Sequence, residues 1–163
     1  KAADYNVRPD RIGVIGFSAG ANLAVRSATN WRTRLYDRID AADDVSCRPD
    51  FQLPIYPWDL LLCLKKAPNG WPEVWETGCE MRLDPAYPVD AQPPPAFIVQ
   101  AQDDFCQIET TTTYFRALQA AGVKNCHLEL MAFGGQGYGL RKVGNPADVW
   151  SDLAADWLKN LLK

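Results

Sequence analysis

Ser18 stands at the centre of GFSAG, with Gly16 and Gly20 two residues to either side in the pattern G-x-S-x-G. A serine hydroxyl is a weak nucleophile near neutral pH, so chemistry at Ser18 requires a base to take its proton and an acid to orient that base. The pentapeptide lies between the apolar run RIGVIGF (11–17) and a helical pattern. A sharp strand-to-helix turn there exposes the Ser18 hydroxyl and aims the Ala19 amide, at the helix N-terminus, where an oxyanion would form. The plainer alternative is a tight turn whose serine only caps the helix.

The acid has two candidates, Asp103 and Asp104 in QAQDDF, which follow another apolar run and so belong to the same edge of a sheet as Ser18. Their plainer role is to cap the next helix. The base is the difficulty. The chain contains one histidine, His127. It begins an apolar run that leads, nine residues later, to Gln136 in the glycine-rich stretch FGGQGYGLR (133–141). At about 3.3 Å per strand residue that separation is roughly 20–30 Å, which places His127 at the opposite end of the sheet as a solvated strand-end residue. Gln136 can donate and accept hydrogen bonds, but it cannot take up a proton at neutral pH.

The elements that must position these residues are four short runs, RIGVIGF (11–17), DFQLPIYP (50–57), PAFIVQAQ (95–102) and HLELMAF (127–133). Each is nearly continuous in hydrophobicity, as expected of strands buried on both faces of a parallel sheet. Helical patterns alternate with them. SAGANLAVRSATNW follows the first run. IETTTTYFRALQAAG places Ile108, Phe115 and Leu118 on one side and stops at Gly122, a C-terminal cap. The last helix starts at NPADVW with Asn145 as N-cap and Pro146 at the first helical position, and carries Val149, Trp150, Leu153, Trp157, Leu158 and Leu161 as its apolar stripe. Strand and helix in alternation imply right-handed crossovers. Residues 58–95 break the rhythm with three of the six tryptophans and much of the proline. They read either as a lid-like insertion over the sheet's C-terminal edge or as a long surface connection. Trp58, Trp71 and Trp75 in it could stack on sugar rings, though core packing is the commoner role.

At 163 residues, 47% of them hydrophobic and 23% charged, the chain is one domain with a real core. The net charge of −3 and the absence of a basic stripe argue against a nucleic-acid partner. No apolar stretch reaches the roughly 20 residues of a membrane helix, and KAADYNVRPD lacks a signal core. The compartment is left open. Five cysteines without C-x-x-C spacing, beside one histidine, form no metal-ligand pattern and read as mostly buried thiols; a Cys63–Cys79 bridge is the lesser alternative. No cofactor motif is present.

Taken together, NVRPDRIGVIGFSAGANLA, CRPDFQLPIYP, PPPAFIVQAQDDF and AGV…ELMAFGGQGYGLR resemble the C-terminal two thirds of an α/β-hydrolase, of the esterase branch similar to bacterial acetylxylan and feruloyl esterases. The resemblance runs along nearly the whole chain, 1–163, as a single partial domain whose N-terminal strands are absent. It implies Ser18 as nucleophile, Asp104 rather than Asp103 as acid, and a G-G-H-G loop whose histidine position is held here by Gln136. Gln107 stands where that family usually has an aliphatic residue. The family's H-G-G-G-like oxyanion loop and early strands precede the elbow and have no counterpart here, so the edge of the first strand is expected to be completed by a missing N-terminal segment or a partner polypeptide.

Two functions follow as expectations: a serine carboxylesterase acting on small, possibly carbohydrate, esters and impaired by Gln136, or an inactive hydrolase-like subunit of a larger assembly. A non-hydrolase doubly wound domain fits the elements but leaves GFSAG and GGQGYGLR unexplained.

Overall fold

A computed structural model describes residues 3–62, 64–66, 73–75, 81–90 and 92–163. Its main sheet has four parallel strands in the order β1 (Gly13–Phe17), β2 (Phe51–Ile55), β5 (Phe97–Ala101), β6 (His127–Met131). The helices are α1 (Ala19–Thr29), α2 (Glu109–Ala120) and α3 (Trp150–Leu161). All four strands fall within the apolar runs, and the chain is α/β with helices flanking a parallel sheet. Within 58–95, β3 (Leu64–Lys66) and β4 (Glu73–Trp75) form a separate antiparallel pair, and Leu61 bridges Leu83. Trp71, Cys63 and Cys79 lie outside the described residues, as does the Trp75 side chain.

The sheet is packed on both faces through β5. Phe97, Val99 and Ala101 join Leu53, Ile55, Trp150 and Ala154 of α3 in one cluster, while Ala96 and Ile98 join Val25 of α1 and Tyr114 and Leu118 of α2 in the other. This is the period-2 alternation of a strand read twice, once into each half of the core. The β2–β5 ladder is interrupted at Pro54. The amides of Gln52 and Tyr56 reach the Pro95 and Val99 carbonyls at 2.9 and 2.7 Å, and Pro54 between them has no N–H to give.

Helix ends follow local chemistry. After α2, Gly122 takes φ +77° and donates to the Gln119 carbonyl at 2.9 Å, while Val123 donates to the Leu118 carbonyl at 3.0 Å, the paired bonds of a Schellman cap. Asn145 accepts from the Ala147 amide at 2.8 Å with Pro146 following it, but the turn it caps, Pro146–Val149, is a 3-10 helix that leads into α3.

The apolar stripes differ from expectation in detail. On α3, Trp150 and Ala154 are buried, and Val149 faces solvent because it belongs to the 3-10 turn. On α2 the buried face is Thr110, Thr111, Tyr114 and Leu118. Thr111 and Tyr114 are tolerated there because buried polar partners meet them: the Thr111 hydroxyl donates to Gln100 Oε1 at 3.0 Å, and the Tyr114 hydroxyl to Gln52 Oε1 at 3.0 Å. β1 also differs from the expected two-sided burial. It lies at the end of the sheet, and Ile12 and Ile15 are about half exposed, at 51% and 49%. Of the described cysteines, Cys106 is buried, Cys126 half-buried and Cys47 exposed, all as thiols.

Candidate active site

The carboxyl ends of β1 and β5 and the loop after β6 meet at one rim. At the end of β1 the chain turns directly into α1, and Ser18 sits at the turn with φ 52° and ψ −121°. That backbone conformation is strained for a residue with a Cβ, and such strain is maintained where the surrounding structure over-determines it. The Ser18 amide is fixed to the Ile55 carbonyl of β2 at 3.1 Å, and the Ser18 carbonyl accepts from Ala21 and Asn22 at 2.9 and 3.2 Å. Gly16 explains why the turn can be so tight: a Cβ there would stand 1.9 Å from the Gly20 carbonyl oxygen. Gly20 contributes that closely approached backbone, and a Cβ on it would point into open space. Ala19 is the first residue of α1, so its amide has no carbonyl of the helix one turn before it to bond to.

The Ser18 side chain makes no cap to α1. Instead its Oγ accepts a hydrogen bond from Gln136 Nε2 at 3.0 Å. Gln136 is presented by a loop that only glycine-rich sequence can follow, with Gly135, Gly137 and Gly139 all at positive φ. The loop is pinned along its length. Asn145 donates to the Gly134 carbonyl at 3.0 Å, Trp150 Nε1 to the Gly139 carbonyl at 2.9 Å, and the Gly139 amide to the Tyr56 hydroxyl at 3.2 Å.

The two aspartates divide their roles, and neither caps α2, whose N-cap residue is Ile108. Asp103 accepts from the Gly135 amide at 2.7 Å and so fastens the loop; that bond holds its carboxyl below the usual range. Asp104 is buried, 7% exposed, and accepts from the Cys106 amide at 2.8 Å and from Gln100 Nε2 at 3.3 Å. Burial is the largest influence on it and raises its pKa from 3.8 to about 6, against the lowering by those two bonds. No hydrogen bond joins Asp104 to Gln136. Cys106 occupies that connection, its thiol donating to Gln136 Oε1 at 3.1 Å.

His127 is far from this rim. It pairs in register with Phe97 at the opposite, amino-terminal end of the strands, stacks on the Phe97 ring at 4.7 Å between centroids, and lies 3.4 Å from Glu129. Sequence reasoning passed over Cys106, Gln100 and Asn22. Asn22 joins the first turn of α1 to the 58–87 region through the Trp58 and Asp59 carbonyls at 3.0 and 3.1 Å and the Tyr87 hydroxyl at 2.7 Å. Its place one helical turn after Ser18 was the available signal. Among the described residues no group of three or more His, Cys, Asp or Glu could hold a metal ion, and no helix is long and apolar enough to cross a membrane.

The strand, strained serine and helix, with a glycine loop closing on the serine from the far side of the sheet, are matched by a family model over residues 2–163, that of the prolyl oligopeptidase family. The chain belongs to that family. It is 25% identical over 168 aligned positions to an acetylxylan esterase of Xylanibacter ruminicola, with 96% of this chain and 32% of that protein covered. Among solved structures it is similar to the acetyl ester-xyloside bifunctional hydrolase of Caldicellulosiruptor lactoaceticus, at 27% identity and a TM-score of 0.75, covering 98% of this chain and 60% of that one. Thermogutta terrifontis esterase 2 shares the fold at 20% identity and a TM-score of 0.70, with 98% and 58% covered. The chain thus spans a third of the curated relative and about 60% of the solved α/β-hydrolase structures, and its four-stranded sheet is that part of their fold.

Proposed function

We propose that this chain carries the nucleophile side of a serine carboxylesterase site, of the kind that acts on small and carbohydrate esters, held in a state that cannot turn over. The observation that carries the reading is the direction of the bond at Ser18. An active serine donates its hydrogen bond to a base and then loses the proton to it, whereas here the Gln136 amide donates a hydrogen bond to the serine oxygen at 3.0 Å. Ser18 retains the strained elbow, and the Ala19 amide the position of an oxyanion donor. Asp104 is buried, with no cation beside it among the described residues, and has no imidazolium to stabilise. Loss of the base from such a unit lowers turnover by roughly 10⁶, leaving what binding and oxyanion donors supply.

A second reading, a hydrolase-like interaction subunit, is favoured by a different observation: the outer edge of β1 with Ile12 and Ile15 half exposed. A strand supplied by a partner polypeptide or by an N-terminal segment would cover both.

A fluorophosphonate probe tests the first reading, because it reacts with an activated serine hydroxyl. The expected result is no labelling of Ser18 beyond that of a Ser18→Ala control. Rapid, stoichiometric labelling of Ser18 would show a working base and overturn the assignment of an idle site.

A further inference from the structure

The replacement at position 136 is one of two obstacles to proton transfer, and the second is Cys106. Gln136 has one donating and one accepting end, and the structure turns them to different neighbours. Its Oε1 can only accept, and it is turned to the Cys106 thiol at 3.1 Å; its Nε2 is therefore turned to Ser18 Oγ at 3.0 Å. The thiol is held in place from its own backbone. The Cys106 amide donates to Asp104 at 2.8 Å, the Cys106 carbonyl accepts from Gln100 Nε2, and the residue is 2% exposed. Asp104 accepts from the Cys106 amide and from Gln100, and the group hydrogen-bonded to the outer end of position 136 is a thiol donor where a triad places a carboxylate acceptor.

We infer that Cys106 is a positioning residue that sets the direction of hydrogen bonding through position 136, and that it holds a histidine introduced there in the wrong tautomer. The inference rests on the reading of Ser18 as an esterase nucleophile. The two ring nitrogens of an imidazole replace the two polar ends of the amide. A thiol donating to Nδ1 makes that nitrogen the acceptor and leaves the proton on Nε2, pointing at Ser18. Such a ring has no lone pair for the Ser18 proton. Removing the thiol frees Nδ1 to carry the hydrogen and donate it towards Asp104, and Nε2 then accepts from Ser18 as general base.

The test compares Gln136→His alone with Gln136→His combined with Cys106→Ala, Cys106→Val or Cys106→Ser. Nitrogen-15 NMR at a pH where the ring is neutral reads the tautomer. Only His127 and the new ring are present, so subtraction of the parent spectrum assigns it. Expected is the Nε2–H form in Gln136→His and in the Cys106→Ser combination, which keeps a donor, and the Nδ1–H form with Cys106→Ala. Cys106→Val removes the donor while retaining bulk, should the alanine variant fold poorly. Hydrolysis of p-nitrophenyl acetate is expected to rise by about two- to tenfold from Gln136→His to its Cys106→Ala or Cys106→Val combination, the equilibrium weight of one neutral hydrogen bond. An Nδ1–H ring already present in Gln136→His, or a tautomer indifferent to Cys106, overturns the inference. A tautomer that switches as expected while ester hydrolysis and fluorophosphonate labelling stay absent upholds the role of Cys106 and sinks the esterase reading instead.

Discussion

Strands β1 and β5 are five residues long, nearly uniform in hydrophobicity, and each delivers one site residue to the same rim, yet their surroundings are opposite. In β5 every residue is buried, with both faces and both edges engaged. In β1 the amino-terminal half is open: Ile15 is 49% exposed, and the outer edge has no strand among the described residues. The residue each delivers differs accordingly. Asp104 follows a strand that takes its environment from all sides, and burial moves its pKa. Ser18 follows a strand with one engaged edge, and its geometry is set by local backbone, by Gly16 against Gly20 and by one bond to β2. A uniformly apolar strand is therefore a statement about what the strand needs. What covers it is a separate matter of the elements around it.

The largest expected effect separates the two strands directly. Ile98→Ala, in fully buried β5, is expected to cost about 2–5 kcal/mol in chemical denaturation, the transfer and cavity penalty of a fully buried aliphatic side chain. Ile15→Ala is expected to cost less than about 1 kcal/mol, because half of the side chain is already in water. Equal losses would break the comparison. They would mean that Ile15 is covered in solution by a chain paired along β1, which is the interaction reading.

A smaller effect concerns Asp104. Its folded pKa, about 6, is raised above the ordinary 3.8, so the folded state holds the proton more tightly than the unfolded one. Its stabilising contribution is then complete below pH 4 and is lost as pH rises through about 6. Asp104→Asn removes that dependence while also disturbing the bonds from Cys106 and Gln100. The informative quantity is therefore the change with pH. Between pH 4 and pH 7.5 the unfolding free energy of the native protein relative to Asp104→Asn is expected to fall by about 2 kcal/mol, somewhat less than the whole displacement of the pKa implies, given partial access of water. A flat difference would show that folding does not displace the pKa of the carboxyl.

How much of this was legible beforehand follows from the range of the interactions involved. The four strands, the helix positions and the Gly122 cap are local or periodic features, and apolar patterning together with one glycine specified them. The elbow was legible for the same reason, since GFSAG lies between a strand and a helix in sequence as it does in space. The open outer edge of β1 followed from the resemblance, whose early strands have no counterpart here, but the half exposure of Ile15 was not legible, because it depends on which elements are neighbours. Nor was the thiol between Asp104 and Gln136. A cysteine two residues after an aspartate has no periodic signature, and its effect arises only when a loop 30 residues further on folds back over it. Buried Thr111 of α2 was missed on similar grounds: its partner Gln100 comes from β5, and apolar counting treats both residues as surface.

The smallest expected effect is at His127, and it bears on the comparison because His127 marks the amino-terminal end of the sheet as Ser18 marks the other. His127 stacks on Phe97 with the rings nearly parallel, at 4°, and its contact with Glu129 is a partly buried pair at the strand end. Pairs of that kind contribute about 0–1 kcal/mol. His127→Phe keeps the stack and drops the pair, so stability is expected to change by less than about 1 kcal/mol in the same denaturation assay. The reactivity of Ser18 towards fluorophosphonate is expected to be unchanged, whatever its level. A histidine that served the serine from a distance, through a rearranged sheet end or a second molecule, would show itself here. Any loss of serine labelling in His127→Phe would place the missing base at the far end of β6, and the argument from Gln136 would have to be abandoned.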